Sequence, residues 1–314
     1  MQIIRTVSFP DKQLLADLEP LPGGLRGVIW DLRSDPEGGT LDEIDAVVLP
    51  YIDAGAVLPA LARVPGLKFV QTQSTGFDGV RETAGPAAGV SSAAGVHAAA
   101  TAELALGLIL AKLRGIDQAV RDQQQAAWRP ERRQSLADRR VLLVGVGGIG
   151  REIARRLEPF EVTVTRVGSS ARTDDDGEVR ASSELTALAA THDVLVSVLP
   201  LSGKTHQLIG EEVLAALPDG ALVVNVGRGA VVDTAALTKE VLSGRLQCAL
   251  DVVDPEPLPQ DHPLWGSPNA LITPHVGGNA SAFEPRILKL LRKQLEALAA
   301  GEAPANLVQS GPFT

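Results

Sequence analysis

Three polar side chains in this sequence each follow a short apolar run, and their types are those that move protons and hold anions. Arg228 lies between Gly227 and Gly229, just past the run 221–226. An arginine held between glycines at a strand end can present a rigid, two-pronged donor to a carboxylate. Glu256 lies between Pro255 and Pro257, past the run 248–252, and His275 follows Thr273 and Pro274 at the end of 270–273. Histidine changes charge near neutral pH, so His275 can trade a proton with a substrate oxygen. A nearby carboxylate orients such a ring and favours its charged form, and Glu256 is the best-placed partner. Singly, each has a plainer explanation: a structural histidine, an arginine in a surface turn, a solvated glutamate. Their shared place beyond strand ends points to chemistry.

The element that must position them is the stretch 141–150, Val-Leu-Leu-Val-Gly-Val-Gly-Gly-Ile-Gly. Four apolar residues predict a strand buried on both faces. Gly145, Gly147 and Gly150, with Gly148 and Ile149 between the last two, form G-x-G-x-x-G, and residues 151–157 continue as a helix. The first glycine allows a tight turn, the second admits a pyrophosphate, and the third lets helix and strand pack closely. Amide groups at the helix start then face the phosphates. The strand before and the helix after are the context this motif requires, so a dinucleotide site is expected. Apolar runs at 161–167, 193–199, 221–226, 248–252 and 270–273 alternate with helical stretches at 183–190, 211–217 and 234–243. That alternation predicts a doubly wound parallel sheet with the cofactor across its strand ends. Residues 173–178 are expected as an acidic surface turn, and 118–137 as a polar surface connection.

Residues 1–97 repeat the alternation without a glycine fingerprint, with strands at 3–7, 27–32, 46–51, 69–73 and 90–92 and helices at 12–18 and 54–63. Ser74, Thr75 and Gly76 follow the fourth strand, where backbone amides can hold a carboxylate. Tyr51 ends the third, and its place suggests a limit on substrate size. Residues 98–114 are apolar nearly all round, as in a helix buried in a large domain or between subunits. An amphipathic helix is expected at 282–300, and the tail 304–314 is expected to pack back on the first domain. The expectation is an α/β protein of two doubly wound parallel-sheet domains. A Rossmann dinucleotide-binding domain (98–284) is inserted in a flavodoxin-like substrate domain (1–97 plus 285–314).

The chain has 314 residues and a net charge of −9, which argues against a general nucleic-acid or anionic-membrane surface. Cys248, the single cysteine, lies in an apolar run and is expected as a buried thiol. The five histidines lack metal-ligand spacing, so no metal is expected. Residues 2–7 are too short and mixed for a secretory signal, and 98–113 is too short and charged to span a membrane. A cytoplasmic protein is expected.

Residues 145–150, 225–233, 251–257 and 273–275, in that order, resemble the D-isomer-specific 2-hydroxyacid dehydrogenases, with further matches at 74–78, 95–97, 101–103 and 199–201. The resemblance covers nearly the whole chain and is strongest to short glyoxylate/hydroxypyruvate reductases. It implies hydride transfer between C4 of a nicotinamide and C2 of a small 2-oxo acid or D-2-hydroxy acid. By similarity His275 protonates the carbonyl oxygen, Glu256 holds His275, and Arg228 holds the substrate carboxylate. Asp251 matches the residue that holds the nicotinamide carboxamide. Leu199 and Pro200 match a cofactor-contacting turn, and Ser74, Thr75 and Gly76 the loop whose amides bind the substrate carboxylate. The family forms homodimers through the dinucleotide domain and the helix starting near Ala98, and a cleft closes on substrate. Thr101 stands where valine is usual and Ala280 where threonine often occurs. Glu256 argues against the related formate dehydrogenases, which carry glutamine there. A cofactor-sensing binding protein without turnover, and an enzyme working in the oxidative direction, are the alternatives. For the cofactor, Arg166 is taken to stand where the family's NAD enzymes carry aspartate, with Ser169, Ser170 and Arg172 following. Cationic and hydroxyl groups suit a 2′-phosphate, so NADP is favoured over NAD.

Overall fold

The computed structural model describes residues 4–313, and the chain divides into two compact units, Met1–His97 with Ser281–Thr314 and Ala98–Ala280. Ile3 of the expected first strand lies outside the described residues.

The first unit carries β1 (Thr6–Phe9), β2 (Arg26–Ile29), β3 (Ala46–Val48), β4 (Phe69–Gln71) and β5 (Gly89–Ser91), paired in parallel in the order β2-β1-β3-β4-β5. This is the flavodoxin-like order. The tail supplies one more strand, Leu307–Gln309, antiparallel beside β5. Every residue of β1, β3, β4 and β5 is buried, the polar Thr6, Ser8, Gln71 and Ser91 included, as expected of a parallel sheet covered on both faces. The helix Phe283–Ala300 buries Ile287, Leu291, Leu295 and Leu298 at helical spacing against Val7, Phe9, Ala46 and Phe69. Within it Gln294 donates to Gln71 Oε1 at 2.7 Å and to the Ala305 carbonyl at 2.8 Å, and accepts from the Ala305 amide at 2.8 Å. The whole of this helix belongs to the first unit, so the chain returns there at Ser281 and not at residue 285.

The second unit carries β6 (Arg140–Val144), β7 (Thr163–Gly168), β8 (Arg172–Asp174), β9 (Gly177–Ala181), β10 (Val194–Ser197), β11 (Leu222–Asn225), β12 (Gln247–Leu250) and β13 (Ala270–Ile272). The order is β8-β9-β7-β6-β10-β11-β12-β13, parallel except for the β8–β9 pair. The expected acidic turn is thus an antiparallel hairpin, turned at Asp175 and Asp176, with Gly177 at φ +108° opening β9. The expected connection after residue 118 also differs, because Ile116–Gln124 is a helix. Its polar residues pair along one turn, Gln118 with Asp122 at 2.8 Å and Arg121 with Asp117 at 3.1 Å.

The apolar helix Ala98–Leu113 packs within its own unit. Ala102, Ala105 and Ile109 are fully buried in one cluster with Leu143, Val196 and Val224 of the sheet. Its all-round apolar character therefore serves the core of the unit and is no evidence of a subunit seam. No described helix is long and apolar enough to cross a membrane.

Candidate active site

Parallel pairing brings five strand ends into line. Val144 pairs with Ser197, Ser197 with Asn225, Asn225 with Leu250, and Leu250 with Ile272. The glycine turn, the Leu199–Pro200 turn, Arg228, Asp251 and His275 all leave the sheet at this edge, the usual ligand edge of an open parallel sheet.

At the glycine turn, Gly145 has φ +120°, and a Cβ there would lie 2.8 Å from the Val198 carbonyl oxygen. A Cβ on Gly150 would lie 2.0 Å from the Gly145 carbonyl oxygen, so the helix can approach the strand only with glycine. Gly147 and Gly148 are different: within 4 Å of their Cβ positions there is nothing. The fold itself does not require them to lack side chains. The helix Gly148–Leu157 starts there with no side-chain cap on Gly147, so its first amides are not satisfied by a capping side chain. An open, uncapped helix start fits a pyrophosphate.

Arg228 is clamped from both sides. A Cβ on Gly227 would lie 2.7 Å from the Leu199 amide nitrogen and carbonyl oxygen, and one on Gly229 1.8 Å from the Val253 carbonyl oxygen. Asn225 fastens the loop, accepting from the Gly227 amide at 3.1 Å and donating to the Arg228 carbonyl at 3.0 Å. The guanidinium itself donates to the Gly227 carbonyl at 2.9 Å.

His275 and Glu256 meet, with Nδ1 at 2.5 Å from Oε1. Both are about half exposed, at 48% and 41% of the side chain. With Nδ1 committed to the carboxylate, Nε2 is the ring atom available for proton exchange. His275 has φ +52°, a left-handed backbone, and its amide donates to the Asp251 carbonyl at 2.8 Å. The buried Asp251 carboxylate organises the rest of this loop. It accepts from Thr273 Oγ1 at 2.6 Å, from the Val276 amide at 2.9 Å and from the Gly277 amide at 2.8 Å. A Cβ on Gly277 would lie 2.9 Å from Asp251 Oδ2 and 3.3 Å from Thr101 Cγ2, so glycine is what lets that amide reach the carboxylate. Sequence reasoning gave Asp251 to the nicotinamide carboxamide alone. Its hold on the loop on either side of His275 was missed, since nothing local links residues 251 and 276.

On the first unit, Ser74 Oγ donates to the Gly76 carbonyl at 2.6 Å, and Thr72 Oγ1 to the Ser74 carbonyl at 2.6 Å. The Thr75 hydroxyl is buried with no hydrogen-bond partner among the described residues. Tyr51 stacks on Phe283 with ring centroids 4.1 Å apart and on His97 at 5.4 Å, while His97 and Phe283 stack at 5.1 Å. His97 Nε2 lies 2.8 Å from the Gln73 carbonyl oxygen. Neither His97 nor Phe283 was singled out from sequence as a partner of Tyr51.

One expected site residue is corrected. Arg166 does not end its strand, because β7 runs on to Gly168. It is buried, and its guanidinium makes two hydrogen bonds to Asp174, both at 2.8 Å. The residue at the strand end is Gly168, whose Cβ position lies 3.0 Å from Arg172 Nη1. Ser169, Ser170 and Arg172 are exposed beyond it.

Comparison with known proteins follows the same lines. A family model described as the NAD binding domain of D-isomer specific 2-hydroxyacid dehydrogenases matches residues 106–277. A glyoxylate reductase from Thermofilum pendens is 34% identical over 278 residues, 85% of this chain and 78% of that protein. A D-isomer specific 2-hydroxyacid dehydrogenase from Xanthobacter autotrophicus Py2, solved with NADPH and MES, superposes with a TM-score of 0.82 at 27% identity, covering 97% of this chain and 98% of that one. An NADPH-dependent glyoxylate/hydroxypyruvate reductase from Sinorhizobium meliloti, solved with NADP and malonate, gives 0.81 at 28% identity, covering 98% of both chains. With the glycine turn, the clamped arginine and the His–Glu pair on one sheet edge, the chain belongs to the D-isomer specific 2-hydroxyacid dehydrogenase family of NAD(P)-dependent oxidoreductases.

Proposed function

We propose that this enzyme reduces a small 2-oxo acid, glyoxylate or hydroxypyruvate, with NADPH. The observation that carries the reading is the contact between His275 Nδ1 and Glu256 on the sheet edge that also bears the glycine turn. The nicotinamide cofactor, when bound, supplies the hydride that adds to C2 of the acid. His275 Nε2 gives the proton to the oxygen at C2, completing the 2-hydroxy acid. Glu256 holds the ring in the orientation and tautomer this needs and stabilises the imidazolium before transfer. Arg228 holds the substrate carboxylate and polarises the carbonyl. Asp251 positions the His275 loop, and its Oδ2 keeps acceptor capacity for the carboxamide. Ser74, Thr75 and Gly76 are assigned to the substrate by their match to the family's loop, and Tyr51 by its position just after the third strand. Gly145, Gly147, Gly148, Ile149 and Gly150 hold the pyrophosphate, with Leu199 and Pro200 beside them.

The choice of NADPH no longer rests on Arg166 as a phosphate ligand. Its support is the absence of a carboxylate at the end of β7, where an acidic residue would bind the ribose 2′-hydroxyl of NAD. Gly168 stands there, and Ser169, Ser170 and Arg172 supply hydroxyl and cationic groups. Measuring kcat/KM for glyoxylate and hydroxypyruvate with each reduced cofactor tests both parts. Preference for NADH sinks the cofactor choice, and failure of both acids sinks the substrate choice.

The same reading includes a homodimer formed through the second unit. Ile116 and Val120, four residues apart on one helix, are 51% and 50% exposed, and Trp128 is 93% exposed. A second copy of this chain is the expected cover for these exposed side chains. Sedimentation of the wild type as a dimer and of Val120→Glu as a monomer is expected. A monomeric wild type at micromolar concentration overturns it.

A further inference from the structure

Arg166 is too deeply engaged to be an ordinary surface arginine. Its side chain is 8% exposed and that of Asp174 is 17% exposed, and the two make a fork-to-fork pair. The guanidinium also lies 3.6 Å from Asp176. Asp176 in turn meets Arg151 Nε at 2.9 Å, and its amide donates to Asp174 Oδ1 at 3.0 Å. Arg151 directly follows Gly150, so the tip of the β8–β9 hairpin is tied both to β7 and to the helix opened by the glycine turn. The hydrogen bonds from Arg166 hold the Asp174 carboxyl down at about 2.

The hairpin is strongly acidic, with Asp174, Asp175, Asp176 and Glu178 in sequence, and Arg172 at its first strand position. Arg180 lies 3.7 Å from Glu178 but is held by Glu184. Carboxylates left unbalanced here would oppose any anion held by Arg172 and compete for its guanidinium. Arg166 is paired with Asp174 and faces Asp176, whose shorter contact is with Arg151.

We propose that Arg166 is a positioning residue for cofactor selectivity: by clamping Asp174 and facing Asp176 it offsets the Asp174 charge, two residues from Arg172, and leaves Arg172, beside Gly168, to receive a 2′-phosphate. This rests on the NADPH reading above. Arg166 acts through the hairpin and touches no cofactor, so its effect falls on the selectivity between nucleotides that differ only in the 2′-phosphate.

The test is calorimetric binding of 2′,5′-ADP and 5′-AMP to the full chain. Wild type should prefer 2′,5′-ADP. In Arg166→Met the preference should fall by about tenfold, the scale of a like charge placed against a bound anion. Arg166→Lys keeps the charge but not the fork, and should lose about threefold. Removing the exposed charge as well, in Arg166→Met with Asp174→Asn, should bring the ratio back toward wild type. A merely structural role would weaken both nucleotides in parallel and leave their ratio unchanged. An unchanged ratio in Arg166→Lys and Arg166→Met, or in Arg166→Lys alone if Arg166→Met fails to fold, overturns the inference. A wild type without preference for 2′,5′-ADP overturns the NADPH reading itself.

Discussion

Asp251→Asn is the substitution whose consequence can be worked most fully from the geometry. The carboxylate is 3% exposed as a residue and accepts three hydrogen bonds, from Thr273 Oγ1 and the Val276 amide on Oδ1 and from the Gly277 amide on Oδ2. Asparagine keeps the shape but turns one acceptor into a donor. With its oxygen toward Thr273 and Val276, its amide group faces the Gly277 N–H, donor against donor. A hydrogen bond to a charged group contributes about 1.5–3 kcal/mol, and a buried donor left without a partner costs about 1–3 kcal/mol. The loop around His275 therefore loses roughly 3–6 kcal/mol of local order. If half of that is expressed in the barrier, kcat falls by about 10- to 150-fold. Stopped-flow single turnovers with saturating NADPH and glyoxylate read the chemical step, and a melting curve confirms the fold. A folded Asp251→Asn enzyme with a single-turnover rate within about threefold of wild type would overturn this, since the proposed proton transfer depends on where His275 is held.

Gly150→Ala should abolish folding of the second unit or lower its Tm sharply, because the new methyl group would sit 2.0 Å from a backbone oxygen, whereas Gly148→Ala should leave Tm unchanged and weaken NADPH binding. Equal melting points for the two variants would contradict this. Lys112→Met should cost about 1.5–3 kcal/mol in urea unfolding, because it removes charge-assisted bonds to Asp117 and to the Pro268 carbonyl while Arg121 still answers Asp117. Lys112 and Asp117 are 4% and 5% exposed at 2.9 Å, and a loss below about 1 kcal/mol would count against it. Burial pushes the His192 imidazole below 6.5, with Nε2 at 2.8 Å from Thr165 Oγ1. Its folded pKa thus lies below the unfolded one, so the unfolded chain binds the proton first and stability falls as pH drops through that range. Between about pH 7 and about pH 5, His192→Gln should lose less Tm than wild type, and equal losses would contradict the assignment.

The two-sheet plan was legible because buried parallel strands are written as apolar runs, as in β6 and β11, and because the glycine motif marks one strand end without ambiguity. The end of β7 was not. Arg166, Val167 and Gly168 carry no stop signal, and a slip of two residues moved the cofactor argument from Gly168 to Arg166. The helix Ile116–Gln124 was hidden because its stability comes from polar pairs four residues apart and not from an apolar stripe. The hairpin β8–β9 was hidden because a charged segment becomes a strand only when Arg166 and Arg151 answer its carboxylates. Arg228, Glu256 and His275 stood out by type and place. What holds them did not: the Leu199 and Val253 backbone against two glycines, and Asp251 beneath the histidine loop, join residues far apart in sequence. The ring stack of Tyr51, His97 and Phe283 is of the same kind.

The central claim is that His275, held by Glu256, supplies the proton to a 2-oxo acid as hydride arrives. The most direct measurement is the single-turnover rate of glyoxylate reduction by His275→Ala, beside its Kd for NADPH. The rate should fall by about 10²- to 10⁴-fold, the usual share of general acid catalysis, with NADPH binding unchanged. A variant that binds NADPH normally and reduces glyoxylate within about threefold of the wild-type rate would contradict it.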